Sequence, residues 1–112
     1  MTSSSADRVE AIYQSYSAAR DNMDADMVGA TDAQAARIRK NLAELKAAYY
    51  TAEEKGLAAN GADVEAAYQA AAQAAAKVQQ AYEDGKALSD RIRAVSGAVT
   101  AVAGLVQKAA LL

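Results

Sequence analysis

The chain has no cysteine, proline, histidine, tryptophan or phenylalanine. The absence of cysteine excludes disulfides, thiol catalysis and thiolate metal sites. The absence of histidine removes the commonest general base and the commonest metal-ligating side chain. Since the chain also lacks proline, no residue in it breaks a helix by removing a backbone donor. We therefore expect a protein that is not an enzyme, with no catalytic residue, no metal site and no cofactor.

Small helix-forming residues dominate what remains. Alanine supplies roughly 29% of the 112 residues, far above its usual share, and it is the strongest helix former. The chain is 53% hydrophobic, but alanine buries little surface, so a core of this kind stabilises only modestly per residue. The composition predicts a single all-α domain that is marginally stable alone or gains stability by self-association.

Capping and stop signals divide the chain into four segments. A serine run at 3–5 precedes the first segment, and Thr31 with Gln34 forms a capping-box pattern before the second. Gly56 ends the second segment, and Asn60-Gly61 is the clearest turn signal. We expect helices at 5–28, 32–55, 62–84 and 88–111, with residues 1–4 disordered.

Apolar residues recur at helical spacing in every segment. The first two segments carry the faces Val9, Ile12, Tyr13, Tyr16, Ala19, Met23, Met27 and Ile38, Leu42, Leu45, Tyr49, Ala52. From Val64 to Ala109 one alternation of four and three continues without a charged residue: Val64, Ala67, Ala71, Ala74, Val78, Ala81, Gly85, Leu88, Ile92, Val95, Val99, Val102, Val106, Ala109. Such seams are typical of helices packed side by side.

Two architectures fit this pattern, and they differ at Gly29 and Gly85. If both glycines end helices, four helices of similar length form an up-down antiparallel four-helix bundle. Asp84-Gly85 would then end the third helix, and Ser89-Asp90 would cap the fourth. If neither glycine breaks a helix, a long two- or three-helix hairpin forms and must dimerise to cover its apolar stripe. We favour the bundle, because both breaks would lie at the same level.

Most polar clusters have a structural interpretation. The carboxylates Asp21, Asp24 and Asp26 lack the spacing of a calcium loop, so we interpret them as a solvated helix face. The basic residues Arg37, Arg39, Lys40 and Lys46 share their helix with glutamates, and the net charge is −2, so we expect no nucleic-acid partner. The tyrosines are expected to add bulk to an alanine core with their hydroxyls reaching solvent, except Tyr50, which lies off its stripe.

The C-terminal segment is the most informative. Residues 94–107 carry no charge, and small residues there would let another helix approach closely. We therefore predict an interface formed by Val95, Gly97, Val99, Thr100, Val102, Gly104 and Val106.

The leading functional hypothesis is a non-enzymatic interaction or assembly protein that binds a protein partner or itself, such as an adaptor, a structural subunit or a helical export substrate. A peripheral membrane protein is a weaker alternative, because the segment has few basic residues and no Trp or Phe. A small-molecule-binding bundle is a third. The start of the chain has no signal-peptide pattern, and residues 94–107 are too few to span a bilayer. We expect a cytoplasmic protein, with export lacking a cleaved signal as the alternative.

Overall fold

The computed structural model describes residues 2–110, and most of them belong to four α-helices. These are α1 (Ser5–Met27), α2 (Asp32–Lys55), α3 (Ala62–Glu83) and α4 (Leu88–Ala109). Helices α1 and α3 each end one residue before the predicted bound, and the predicted end of the fourth helix at 111 lies outside the described residues. The radius of gyration is 13.8 Å, near the ~13 Å of a compact chain of this length. The predicted four-helix bundle is confirmed.

Helices α1 and α2 begin with complete capping boxes. The Ser4 hydroxyl accepts from the Asp7 amide, and the Asp7 carboxylate accepts from the Ser4 amide. The Thr31 hydroxyl accepts from the Gln34 amide in the same way, and the Gln34 side chain accepts from the Thr31 amide. Each box satisfies two backbone donors that the helix leaves open. The capping box predicted for α2 is therefore confirmed.

Helices α3 and α4 begin without a side-chain cap. The residue before α3 is Gly61, and the residue before α4 is Ala87. The expectation that Ser89-Asp90 caps α4 is wrong, because both residues already lie inside the helix. Asp90 instead places a negative charge in the first turn, where it interacts favourably with the helix dipole.

Both glycine breaks occur, but they differ in geometry. Gly85 adopts φ +62°, and the amides of Gly85 and Lys86 donate to the carbonyls of Tyr82 and Ala81. These two bonds form a Schellman motif, which requires a left-handed residue after the helix. Gly29 lies in the turn after α1 without a positive φ, so it does not supply the left-handed helix end expected there.

The chain forms two antiparallel helical hairpins, α1–α2 and α3–α4. Helix α1 packs beside α2 and α3, and α4 packs beside the same two helices, with only a small contact between α1 and α4. Within residues 2–110, α2 and α3 do not contact each other. The connection at 56–61 therefore crosses the diagonal of the bundle, and α1 runs parallel to α3. We call the end with this connection the lower end, and the end with the two hairpin turns the upper end.

The core lies between the two hairpins, and few of its side chains are large. Its most buried large apolar residues are Ile12, Leu45, Leu57, Val64, Val78, Val102 and Leu105. Alanines at the closest helix contacts complete it: Ala11, Ala19, Ala52, Ala71, Ala75, Ala81, Ala98 and Ala109. The predicted alanine-rich core is thus present.

The buried face of α4 is rotated relative to the predicted seam. Ala98 and Leu105 are completely buried, whereas Val99 and Val106 are only partly buried. The reason is that α4 packs against both α3 and α2, so its buried face is wider than the seam between two helices.

We predict opposite effects for alanine at two glycines of the α3–α4 hairpin. Gly85→Ala forces a left-handed φ on a residue with Cβ and should lower the free energy of unfolding by about 1 kcal/mol. Gly97 lies in the interior of α4, and an added Cβ meets no atom within 4 Å, so Gly97→Ala should raise that free energy by about 0.5–1 kcal/mol. Urea denaturation followed by circular dichroism measures both. If Gly85→Ala were neutral, the helix break at Gly85 would be wrong.

Candidate functional site: the outer face of α3 and α4

The predicted interface residues of α4 lie on two different sides of the helix. Val95 and Val102 are 5% and 1% exposed and belong to the core. They present no surface to a partner, so we correct their place in the predicted interface to a place in the core of the bundle. Gly97 and Thr100 are exposed. The other three, Val99, Gly104 and Val106, are partly exposed. The buried valines serve the contact of α4 with its own bundle.

The exposed side of α4 continues onto α3 as one uncharged surface. A shallow groove runs between the upper parts of the two helices, and its uncharged lining consists of Ala70, Gln73, Ala74, Ala94, Gly97 and Ala101. Residues 66–76 of α3 and 94–107 of α4 carry no charged side chain. We call the exposed side of these two stretches the α3–α4 belt.

Charged residues mark both ends of the belt. Lys77, Asp90 and Arg93 line the upper end of the groove, and Arg93 donates to the Asp90 carboxylate at 3.3 Å. Asp63 and Lys108 are exposed at the lower end. Over 11 residues of α3, the belt is about 17 Å long.

A buried arginine holds the lower end of the bundle together, and the apolar face predicted for the first helix does not include it. Arg8 is 1% exposed. Its guanidinium donates to the carbonyl oxygens of Leu57 at 2.6 Å and Ala59 at 2.8 Å, and to the Glu65 carboxylate at 2.7 Å. It also donates to the Ser3 hydroxyl at 2.8 Å. One side chain thus connects α1, the diagonal connection and α3.

The residues before α1 take part in the same network. The amide and hydroxyl of Ser3 both donate to the Glu65 carboxylate, at 2.9 and 2.7 Å. Disorder was expected for residues 1–4, but Ser3 is anchored in this way and Ser4 caps α1; Met1 lies outside the described residues. The bonds from Ser3, together with the guanidinium of Arg8, lower the pKa of Glu65 to about 2.

A second buried cluster joins the hairpins at the upper end. Asp26 is 5% exposed; it accepts from the Tyr82 hydroxyl through one oxygen and from the Arg91 guanidinium, at 2.9 Å, through the other. The solvated face predicted for Asp26 is therefore wrong, although Asp21 and Asp24 are exposed. The Tyr82 hydroxyl does not reach solvent as predicted, and burial together with its bond to Asp26 raises the Tyr82 pKa.

The interior between these clusters contains two more polar side chains. Asn41 is 2% exposed and donates to the Ser96 hydroxyl at 3.0 Å. Asn41 therefore occupies the buried position of α2 where the sequence pattern predicts Leu42, which is only partly buried. The buried Ser15 hydroxyl finds no hydrogen-bond partner among the described residues. A small, partly open cavity near Asp26 has a volume of about 10 Å³, enough for about one water molecule.

The tyrosines largely follow the prediction. Tyr16 is buried, and Tyr13, Tyr49, Tyr68 and Tyr82 pack against the core. The Tyr16 and Tyr49 rings stack at 5.6 Å between α1 and α2, with the Arg20 guanidinium 5.3 Å from the Tyr16 ring. Tyr50 is 54% exposed, as expected.

Residues 2–110 contain no group of three or more carboxylate, histidine or cysteine side chains placed to hold a metal ion. None of the four described helices combines the length and apolar character needed to cross a bilayer. No protein-family model, curated protein sequence or solved structure is significantly similar to the chain.

We predict that Arg8→Met lowers the free energy of unfolding by about 2–4 kcal/mol, because it leaves the buried Leu57 carbonyl and the Glu65 carboxylate without their donor. Arg93→Met removes an exposed ion pair and should change the free energy of unfolding by less than about 0.5 kcal/mol. Chemical denaturation of the two variants at neutral pH provides the comparison. Equal losses in both variants would contradict the structural role assigned to Arg8.

Glu65 should also make stability depend on pH. Its folded pKa of about 2 lies below the ordinary value of 4.5, so its contribution is complete above pH 4.5 and is lost as the pH falls towards 2. We expect Tm to fall over this range, and to fall less in Glu65→Gln. Glu44→Gln, at an exposed position on α2, should keep the wild-type slope. Thermal melts between pH 2 and 5 measure the difference, and equal slopes in wild type and Glu65→Gln would refute it.

Proposed function

We propose that this protein is a non-enzymatic interaction protein that binds a helical protein partner through the α3–α4 belt. The observation that carries the proposal is the alignment of two uncharged stretches. Residues 66–76 and 94–107 are far apart in sequence. In the antiparallel α3–α4 hairpin, however, they lie side by side at the same level of the bundle. Together they give one uncharged surface, with a groove between the two helices in its upper part.

The core does not require this surface to be uncharged. Gln69, Gln73, Thr100 and Gln107 are all exposed, and a lysine or glutamate at these positions would lie in solvent without disturbing the interior. The exposed face of α2, by contrast, carries many charged residues: Arg37, Arg39, Lys40, Glu44, Lys46, Glu53 and Glu54. Depletion of charge is a feature of the centre of protein interfaces. The belt therefore has the composition of a surface that becomes covered.

The shape of the belt supports a helix as the bound element. Most residues that line the groove are alanine or glycine, which leave room for another backbone to approach closely. An amphipathic helix laid into a groove between two helices is a common recognition mode.

The other two functional hypotheses have less support. A membrane-surface role requires a Val-rich face of α4 directed outwards, but Val95 and Val102 are in the core. A small-molecule role requires an interior site, but the cavity near Asp26, at about 10 Å³, has room for only about one water molecule.

We predict that a photo-crosslinking amino acid at Thr100, at the outer edge of the belt, gives a covalent adduct of discrete mass when the full chain is irradiated in the cells that produce it. The same amino acid at Ala47, which is exposed on α2, serves as the control and should give none. Gel mobility and mass spectrometry identify the adduct and the crosslinked residue. If position 100 gives no adduct, or both positions give the same one, the belt is not the binding surface.

A further inference from the structure

Two glycines of the belt lie at positions where neither the backbone conformation nor the packing of a single chain requires glycine. Gly97 and Gly104 lie in the interior of α4, where glycine weakens a helix relative to alanine. Neither has a positive φ, and a Cβ added at either would meet no atom within 4 Å. Packing inside the bundle therefore does not require glycine at these positions. On the outside, the absence of a side chain would let a second backbone come close to α4.

The charges at the ends of the belt have a self-complementary order. On α3, Asp63, Ala70 and Lys77 are spaced by seven residues, so they share one face of the helix, with the acid at the lower end and the base at the upper end. On α4 the order along the bundle is reversed, with Asp90 at the upper end and Lys108 at the lower end. The upper end therefore carries Lys77 on α3 and the Asp90–Arg93 ion pair on α4. The lower end carries Asp63 on α3 and Lys108 on α4.

We propose that the partner of the α3–α4 belt is the belt of a second copy of this chain, related by a twofold axis that lies across the helices. This inference rests on the proposed function and specifies its partner. The axis reverses the second copy, so Lys77 faces Asp63 of the second copy, and Asp90 faces Lys108 of the second copy. Each contact occurs twice, as in every isologous dimer.

A single twofold axis can produce both the contact between Lys77 and Asp63 and the contact between Asp90 and Lys108. The midpoint between Asp63 and Lys77 is Ala70, and the midpoint between Asp90 and Lys108 is Val99. Ala70 and Ala101, which is close to Val99 on α4, both line the lower end of the groove, so the two midpoints lie at nearly the same level. The charged side chains meet around the uncharged centre, where Gly97 permits close approach.

The size of the belt predicts a weak dimer. With the charged residues at both ends included, the contact surface from Asp63 to Lys77 is about 21 Å long, and two adjacent helices are about 20 Å wide, so each copy would bury roughly 400 Å². The total of about 800 Å² is below the range of stable complexes, about 1,200–2,000 Å². Association should therefore be reversible and depend on concentration, and its charged contacts should weaken as salt is added.

Charge reversal tests the contact between copies. Lys77 and Asp63 are exposed, and neither forms a hydrogen bond or ion pair with another residue in the described part of the chain. In Lys77→Glu alone, and in Asp63→Lys alone, like charges meet at both contacts of the dimer. When the two variants are mixed, the reversed side chains meet each other at one contact and the native pair meets at the other. Sedimentation equilibrium of the full chain at low salt, over a concentration series, measures dimerisation in each case.

We expect wild type to dimerise with rising concentration, each single variant to dimerise at least tenfold more weakly, and the equimolar mixture to regain dimerisation. Glu44→Lys, a reversal on α2 outside the belt, should behave as wild type. Gly97→Arg should remain monomeric, and circular dichroism should show that every variant keeps its helical content. A wild type that stays monomeric throughout, single variants that dimerise like wild type, or a mixture no better than the single variants would each overturn the dimer.

The crosslink at position 100 separates this inference from the function on which it rests. An adduct of twice the chain mass, joined belt to belt, supports the second copy as partner. An adduct with a different protein, together with a monomeric wild type, overturns the dimer and leaves the interaction function standing. The absence of any adduct overturns both.

Discussion

The buried guanidinium of Arg8 determines how the two hairpins can be joined. A six-residue connection that crosses the end of a bundle leaves backbone carbonyls without helical partners, and Arg8 donates to two of them, at Leu57 and Ala59. A buried charge is stable only when it is paired and hydrogen-bonded, so Arg8 also requires Glu65 on α3. Since α1, the connection and α3 must meet at this group, α3 starts beside α1 and leaves α2 on the diagonal.

An alanine-rich core makes such polar contacts important for specificity. Small, similar side chains leave several helix registers with comparable packing, because apolar burial is not directional. The side-chain hydrogen bonds between the hairpins select one register. They occur at the lower end through Arg8 and Glu65, between the ends through Asn41, and at the upper end through Asp26. Each of these hydrogen bonds joins polar groups that are withdrawn from water, so a shifted register would leave those groups without a partner.

Local signals made the fold predictable, whereas the polar contacts depend on residues distant in sequence. Caps and helix breaks involve neighbouring residues, as at Thr31 and Gly85. Arg8 and Glu65 are 57 positions apart, and their pairing follows only once the hairpins are placed. One signal was available: starting from Arg8, alternating steps of four and three along α1 pass through Ile12 and end at Asp26. Both charged residues therefore lie on the core seam. The sequence predicted only the α4 side of the belt. The uncharged stretch of α3 joins it in one surface only when α3 and α4 are paired.

The two hairpins obtain their stability from different sources. Helices α1 and α2 are capped by side chains, which stabilise a helix locally. Helix α4 has no side-chain cap, and it contains two interior glycines and several β-branched residues, all of which weaken an isolated helix. It must therefore be held by packing on α3 and α2. A partner that binds the outer face only when α3 and α4 are folded together would stabilise this hairpin by mass action. Its binding would thus reinforce α4, which lacks a side-chain cap and contains residues that weaken an isolated helix.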